Sequence, residues 1–87
     1  MHAVVVKVNI NDPEAAESHL REQVVPRISQ APGFVAGYWT RKDGTGLSMV
    51  VFESEDAATS ASELVPTMLP DAVTLENVEI REVVVHA

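Results

Sequence analysis

Cysteine is absent from the chain. Disulfides, thiolate zinc sites, iron–sulfur clusters and cysteine nucleophiles are excluded with it. Basic residues are scarce and scattered: six Lys and Arg stand against thirteen Asp and Glu, for a formal net charge of −7. Nucleic-acid binding draws most of its affinity from neutralised phosphates, so no nucleic-acid partner is expected. An anionic membrane surface would repel the chain too. No apolar run approaches the ~20 residues of a membrane-spanning helix, so no membrane partner is expected either. The opening residues, MHAVVVKVNI, run straight into a strand-like pattern without a secretory signal's charged start and cleavage site. A cytoplasmic location is the expectation. Aromatic residues are few, and the one Trp, the one Tyr and both Phe all fall between Ala31 and Ala58.

What remains is 87 residues with 46% hydrophobic content, the make-up of one small folded domain. A domain this short buries only ~60–65% of its unfolded surface. Small domains gain further burial from disulfides, metals or partner chains. With cysteine absent, a homodimer is the expected supplement.

The elements follow from local chemistry. His2 to Ile10 is a strand that is apolar on both sides, interrupted by Lys7 and Asn9. Asp12 and Pro13 suit the cap and first position of a helix. Ala16, Leu20, Val24 and Ile28 recur every four residues and form its apolar stripe; Pro26 is expected to kink or end the regular helix near Val25. Gly33 offers a left-handed exit. Phe34 to Lys42 is the second strand, with Phe34, Ala36, Tyr38 and Thr40 on one face and Val35, Gly37, Trp39 and Arg41 on the other. Asp43-Gly44-Thr45-Gly46 signals a hairpin, and Leu47 to Glu53 is the third strand. Ser54 caps a second helix whose stripe is Ala57, Ala61, Leu64, Val65 and Met68, unravelling between Pro66 and Pro70. Val73 to Ala87 is a long final strand region, so apolar at Val83-Val84-Val85 that it calls for cover from beyond one protomer.

This βαββαβ order is that of a split βαβ, ferredoxin-like sandwich of class α+β: a four-stranded antiparallel sheet with two helices on one face. The other face then needs a cover, for which a second copy of the chain is the simplest choice.

The segments VVPRISQAPGFVAGYWT, GLSMVVFESEDAA and the terminal REVVVHA, in that order, resemble the dimeric α/β-barrel superfamily, in particular its antibiotic-biosynthesis-monooxygenase-like family. The resemblance spans nearly the whole chain. It implies two sheets facing each other across a dimer, and a pocket in each protomer between sheet and helices. It also implies cofactor-independent oxygenation of quinol- or polyketide-like aromatics, or a non-catalytic, small-ligand-binding or stress-related module. The haem-degrading branch uses an axial His on the second helix. Glu55 to Met68 contains none, so haem degradation is set aside and no cofactor is expected.

Candidate site residues are Trp39, Asn9, His19 and Tyr38. An indole or a phenol can stack on or hydrogen-bond to a flat ligand, yet Trp39 and Tyr38 are neighbours and must point to opposite sides of the sheet unless the strand is bulged. His19, one position before the stripe residue Leu20, offers the side chain most often used as a general base. Asn9 can orient a carbonyl, and Arg41, facing the same way as Trp39, can meet an acidic or enolate oxygen. Each also has a structural reading: core filler, helix surface, backbone-bonded turn residue or surface ion pair. His2 and His86 approach each other if the first and last strands pair antiparallel. Two histidines make an incomplete zinc site, so no metal is expected. No serine elbow, phosphate loop or Glu-x-x-His motif is present.

Overall fold

The valine-rich segment β1 (His2–Ile10) lies inside the sheet, hydrogen-bonded on both edges. In the computed structural model, which describes Met1–Ala87, β1 pairs antiparallel with β3 (Thr45–Phe52) and with β4 (Val73–Glu82), and β2 (Phe34–Lys42) pairs antiparallel with β3. The strand order is β2-β3-β1-β4 in one four-stranded sheet. A first helix (residues 13–28) joins β1 to β2, and a second (Glu55–Met68) joins β3 to β4. Both contribute to one buried cluster, in which Ile28, Ala58, Ala61, Val65 and Met68 meet Val4, Val6, Val50 and Phe52 of the sheet. The class is therefore α+β, with both helices on one face, consistent with a ferredoxin-like arrangement.

The local signals act as physical chemistry requires. The Asp12 carboxylate accepts from the Ala15 N–H at 3.2 Å and Pro13 opens the first helix. Ser54 Oγ accepts from the Ala57 N–H at 3.1 Å at the start of the second helix. The β2–β3 turn is shorter than the four residues expected, because Asp43 and Gly44 alone take positive φ, 51° and 79°. That two-residue turn suits the right-handed twist of a hairpin, and it brings Thr45 and Gly46 into β3.

Three departures from the sequence reading matter for the site. First, a bulge at Val35 shifts the β2 register between Phe34 and Ala36. Phe34 therefore leaves the face of Tyr38 and joins the helix side, where its ring meets Phe52 edge-on at 6.2 Å. Burial of both rings favours the bulge, since an aromatic pair adds about 0.5–1.5 kcal/mol beyond area alone. Second, the first helix loses its regular α-helical turn before Pro26 but does not end at Val25. It runs α-helical over Pro13–His19, π-helical over Leu20–Val24 and α-helical again over Val25–Ile28. Pro26 has no N–H for an ordinary helical bond; the wide turn bonds Val25 N–H to Leu20 O and places Pro26 at the start of a fresh α-helical stretch. On a regular helix, four-residue spacing overshoots by about 40° per step. The π turn takes up part of that and keeps the stripe on one side.

Third, β4 ends at Glu82. Val83 N–H bonds to Met1 O at 2.9 Å. Val84 and Val85 stand 87% and 84% exposed. The second helix also differs in detail: Pro66 lies within it, Ala58 is buried, and Leu64 faces solvent. No helix is long and apolar enough to cross a membrane.

Candidate functional site

Between the sheet and the two helices lies a partly open cavity of about 560 Å³, lined mainly by apolar side chains. Its sheet wall is built from Val4, Val6 and Val8 of β1, Trp39 of β2, and Ser48 and Val50 of β3; Leu20, Val24 and Val25 supply the opposite wall. Cavities of this size and character hold small organic ligands.

Trp39 is set by its neighbours. It pairs with Ser48, which pairs with Val6, so all three face the helices. The indole folds back over Gly37: a Cβ built there would come within 2.6 Å of Trp39 Cη2. A side chain at 37 would have to displace the indole, which lines the cavity. Ser48, half-buried beside it, donates to no group of the chain, and its hydroxyl belongs to the cavity lining.

His19 closes the α-helical stretch before the π turn and also lines the cavity. Its Nε2 lies 2.8 Å from Met68 O at the end of the second helix. A carbonyl only accepts, so Nε2 carries the hydrogen, and in the neutral ring Nδ1 is left as the acceptor. The hydrogen bond ties the two helices together and orients the ring.

At the rim, Glu17 Oε1 lies 3.8 Å from Arg41 Nη2 and Glu17 Oε2 lies 3.4 Å from Arg21 Nε. All three side chains are half or more exposed. Such solvated pairs add at most about 1 kcal/mol. Their interest lies in where they stand: Glu17 reaches from the first helix to the edge strand β2.

The sequence candidates separate between the two faces. Trp39, His19 and Arg41 line the cavity. Asn9 and Tyr38 do not. Tyr38 pairs with Met49 on the open face and is 64% exposed. Asn9 shares that face, its amide donating to Glu76 Oε1 at 2.7 Å, with Lys7 Nζ 3.7 Å from Glu76 Oε2. Asn11 bonds to Thr74 Oγ1 at 3.1 Å. The alternation argument for Trp39 and Tyr38 holds because the bulge at Val35 lies before both. β1 and β4 do pair antiparallel, but His2 faces Glu82 across that register and lies 3.6 Å from Glu55 Oε2, while His86 sits in the tail beyond β4. No group of three or more His, Cys, Asp or Glu is placed to hold a metal ion.

Ser48, Glu17, Arg21 and the π turn were not singled out from the sequence. Ser48 was accessible in principle, since an Asp-Gly hairpin fixes the register that sets it opposite Trp39. The ion pairs at Glu17 carried no such signal.

Compared with known proteins, the chain matches no protein-family model, and no curated protein matches it at a significant level.

Proposed function

We propose that this protein binds a small, flat, largely apolar molecule in the sheet–helix cavity and oxidises it as a cofactor-independent monooxygenase of quinol- or polyketide-like aromatics. The observation that carries the reading is the cavity of about 560 Å³, with an indole for one wall and an oriented imidazole at its margin. The resemblance of the chain to the antibiotic-biosynthesis-monooxygenase-like family supports it further. So does the π turn, since such turns occur often at functional sites.

In this reading His19 Nδ1 takes a proton from an acidic ring carbon, and the resulting carbanion reduces molecular oxygen. For a methylene group the balance closes with one oxygen atom in the new carbonyl and the other in water. Apolar walls favour oxygen and exclude bulk water. Oxygen uptake with anthrone- and quinol-type substrates tests the reading. Uptake above background, abolished in His19→Gln, is expected; the absence of uptake with every substrate overturns it.

A second reading, a non-catalytic ligand-binding module, draws support from a specific feature. Asn9 is engaged with Glu76, and Tyr38 faces away from the cavity. Two polar groups are thereby withheld from any bound substrate.

The homodimeric barrel belongs to the same proposal. Tyr38, Leu47 and Met49 stand 64%, 52% and 45% exposed on the open face. Only 12 of 87 residues are buried, a core for which association would be a natural supplement. Light scattering should give twice the 9.4 kDa mass of one chain, and Met49→Glu should reduce it to one.

A further inference from the structure

The cavity is apolar within but not at its mouth. Its lining includes two of the chain's six cationic side chains, and both turn to one carboxylate, Glu17, at 3.4 and 3.8 Å. Two guanidinium groups sharing one carboxylate leave one positive charge at the rim. Glu14 is the other acid nearby. It lies with Pro13, Glu17, Ser18 and Arg41 along a shallow outer cleft and is not among the residues that line the apolar cavity. In a chain of net charge −7, this is an unusual place to concentrate arginine.

The strand geometry adds a spacing. Trp39 and Arg41 alternate on the same face of β2, their Cα atoms about 7 Å apart along the strand, with the indole leaning toward Gly37 and away from Arg41. Ser48 sits opposite Trp39, and Gly46 sits opposite Arg41, so no side chain from β3 stands between indole and guanidinium.

We propose that the ligand of this cavity is an aromatic acid: its ring system lies on Trp39 beside the Ser48 hydroxyl, and its carboxylate takes Arg41 in place of Glu17. A planar carboxylate matches the fork of a guanidinium better than the single 3.8 Å contact to Glu17 does. Glu17 then acts as a competitor that an incoming acid displaces. The inference rests on the binding reading above and goes beyond it in naming the class of ligand.

The test uses two probes with the same ring system, 2-naphthoate and 2-naphthalenemethanol. The single tryptophan reports occupancy, because its indole N–H is the only one in the chain and gives one resonance. Naphthoate is expected to bind about fivefold more tightly than the alcohol, the range a half-exposed charge pair supplies. Arg41→Gln should erase that preference by weakening naphthoate alone. Glu17→Gln should strengthen naphthoate a few-fold, since it frees the guanidinium. Equal affinities for the two probes, or an Arg41→Gln effect shared by both, would overturn the inference and leave the binding reading intact. An indole resonance unmoved by either probe would remove the binding reading and the inference with it.

Discussion

The second helix, Glu55–Met68, lowers Ala58, Ala61, Val65 and Met68 onto the sheet, against β1, β3 and β4. The first helix, residues 13–28, makes no comparable backbone approach to any strand and spans the sheet across a cavity of about 560 Å³. Side-chain size accounts for much of the contrast. Alanines at 57, 58 and 61 let one helix settle close, whereas Leu20, Val24 and Val25 of the other line the cavity and stay outside the buried cluster. Backbone regularity differs in the same sense. The close helix carries Pro66 without losing its α-helical register, and the distant one has a π turn before Pro26. One helix thus supplies stability and the other leaves room for a ligand.

The comparison can be broken most directly by adding volume under each helix. Ala58 is fully buried, and Ala58→Leu should cost about 2–3 kcal/mol because a packed core does not absorb extra methylenes. Val24→Leu, facing open cavity, should change stability by less than about 0.5 kcal/mol. Urea titration of both variants decides the matter; equal costs would mean that the first helix is packed as tightly as the second.

A smaller effect is expected at Gly37. A methyl group there collides with the indole of Trp39, so Gly37→Ala should cost about 1–2 kcal/mol and push the ring toward the cavity. The shifted indole resonance and weakened naphthoate binding would show it. A variant with unchanged resonance and stability would mean that the ring does not rest on Gly37.

The smallest effect is expected at Pro26. Pro26→Ala restores an N–H that can bond to Glu22 and removes the requirement for a wide turn. Stability should change by less than about 1 kcal/mol, but the amide at 26 should become protected from hydrogen exchange. An unprotected amide would show that the cavity shape, rather than the proline, maintains the π turn.

Much of the fold was legible from neighbouring residues. Asp12 and Ser54 declare helix starts because a side-chain oxygen within a few residues satisfies a free N–H. β1 and β2 are read to their ends. Asp43-Gly44-Thr45-Gly46 marks the hairpin, and within it the two-residue Asp-Gly turn sets every β2–β3 pair from Lys42 back to Ala36. Leu64 fits the stripe by spacing yet is exposed, because periodicity alone does not distinguish a residue at its margin; Ala58 is buried with little sequence signal, because alanine contributes little to an apolar pattern.

The site was legible only in part. Trp39, His19 and Arg41 were named and do line one cavity; Asn9 and Tyr38 were named with them and lie on the opposite face. Alternation along β2 was sufficient to separate Trp39 from Tyr38. It gave no rule for Asn9, whose amide is claimed by Glu76, 67 residues away.

By itself the sequence determined the order of elements, the caps, the sidedness of Trp39 and Tyr38, and the exclusion of cysteine chemistry. These depend on bonds and alternation within a few residues. The tertiary structure decided the bulge that turns Phe34 inward, the end of β4 at Glu82, the hydrogen bond from His19 to Met68 and the cavity itself. Each of those depends on how much volume or how many partners distant segments bring to one place, a quantity that no local pattern contains.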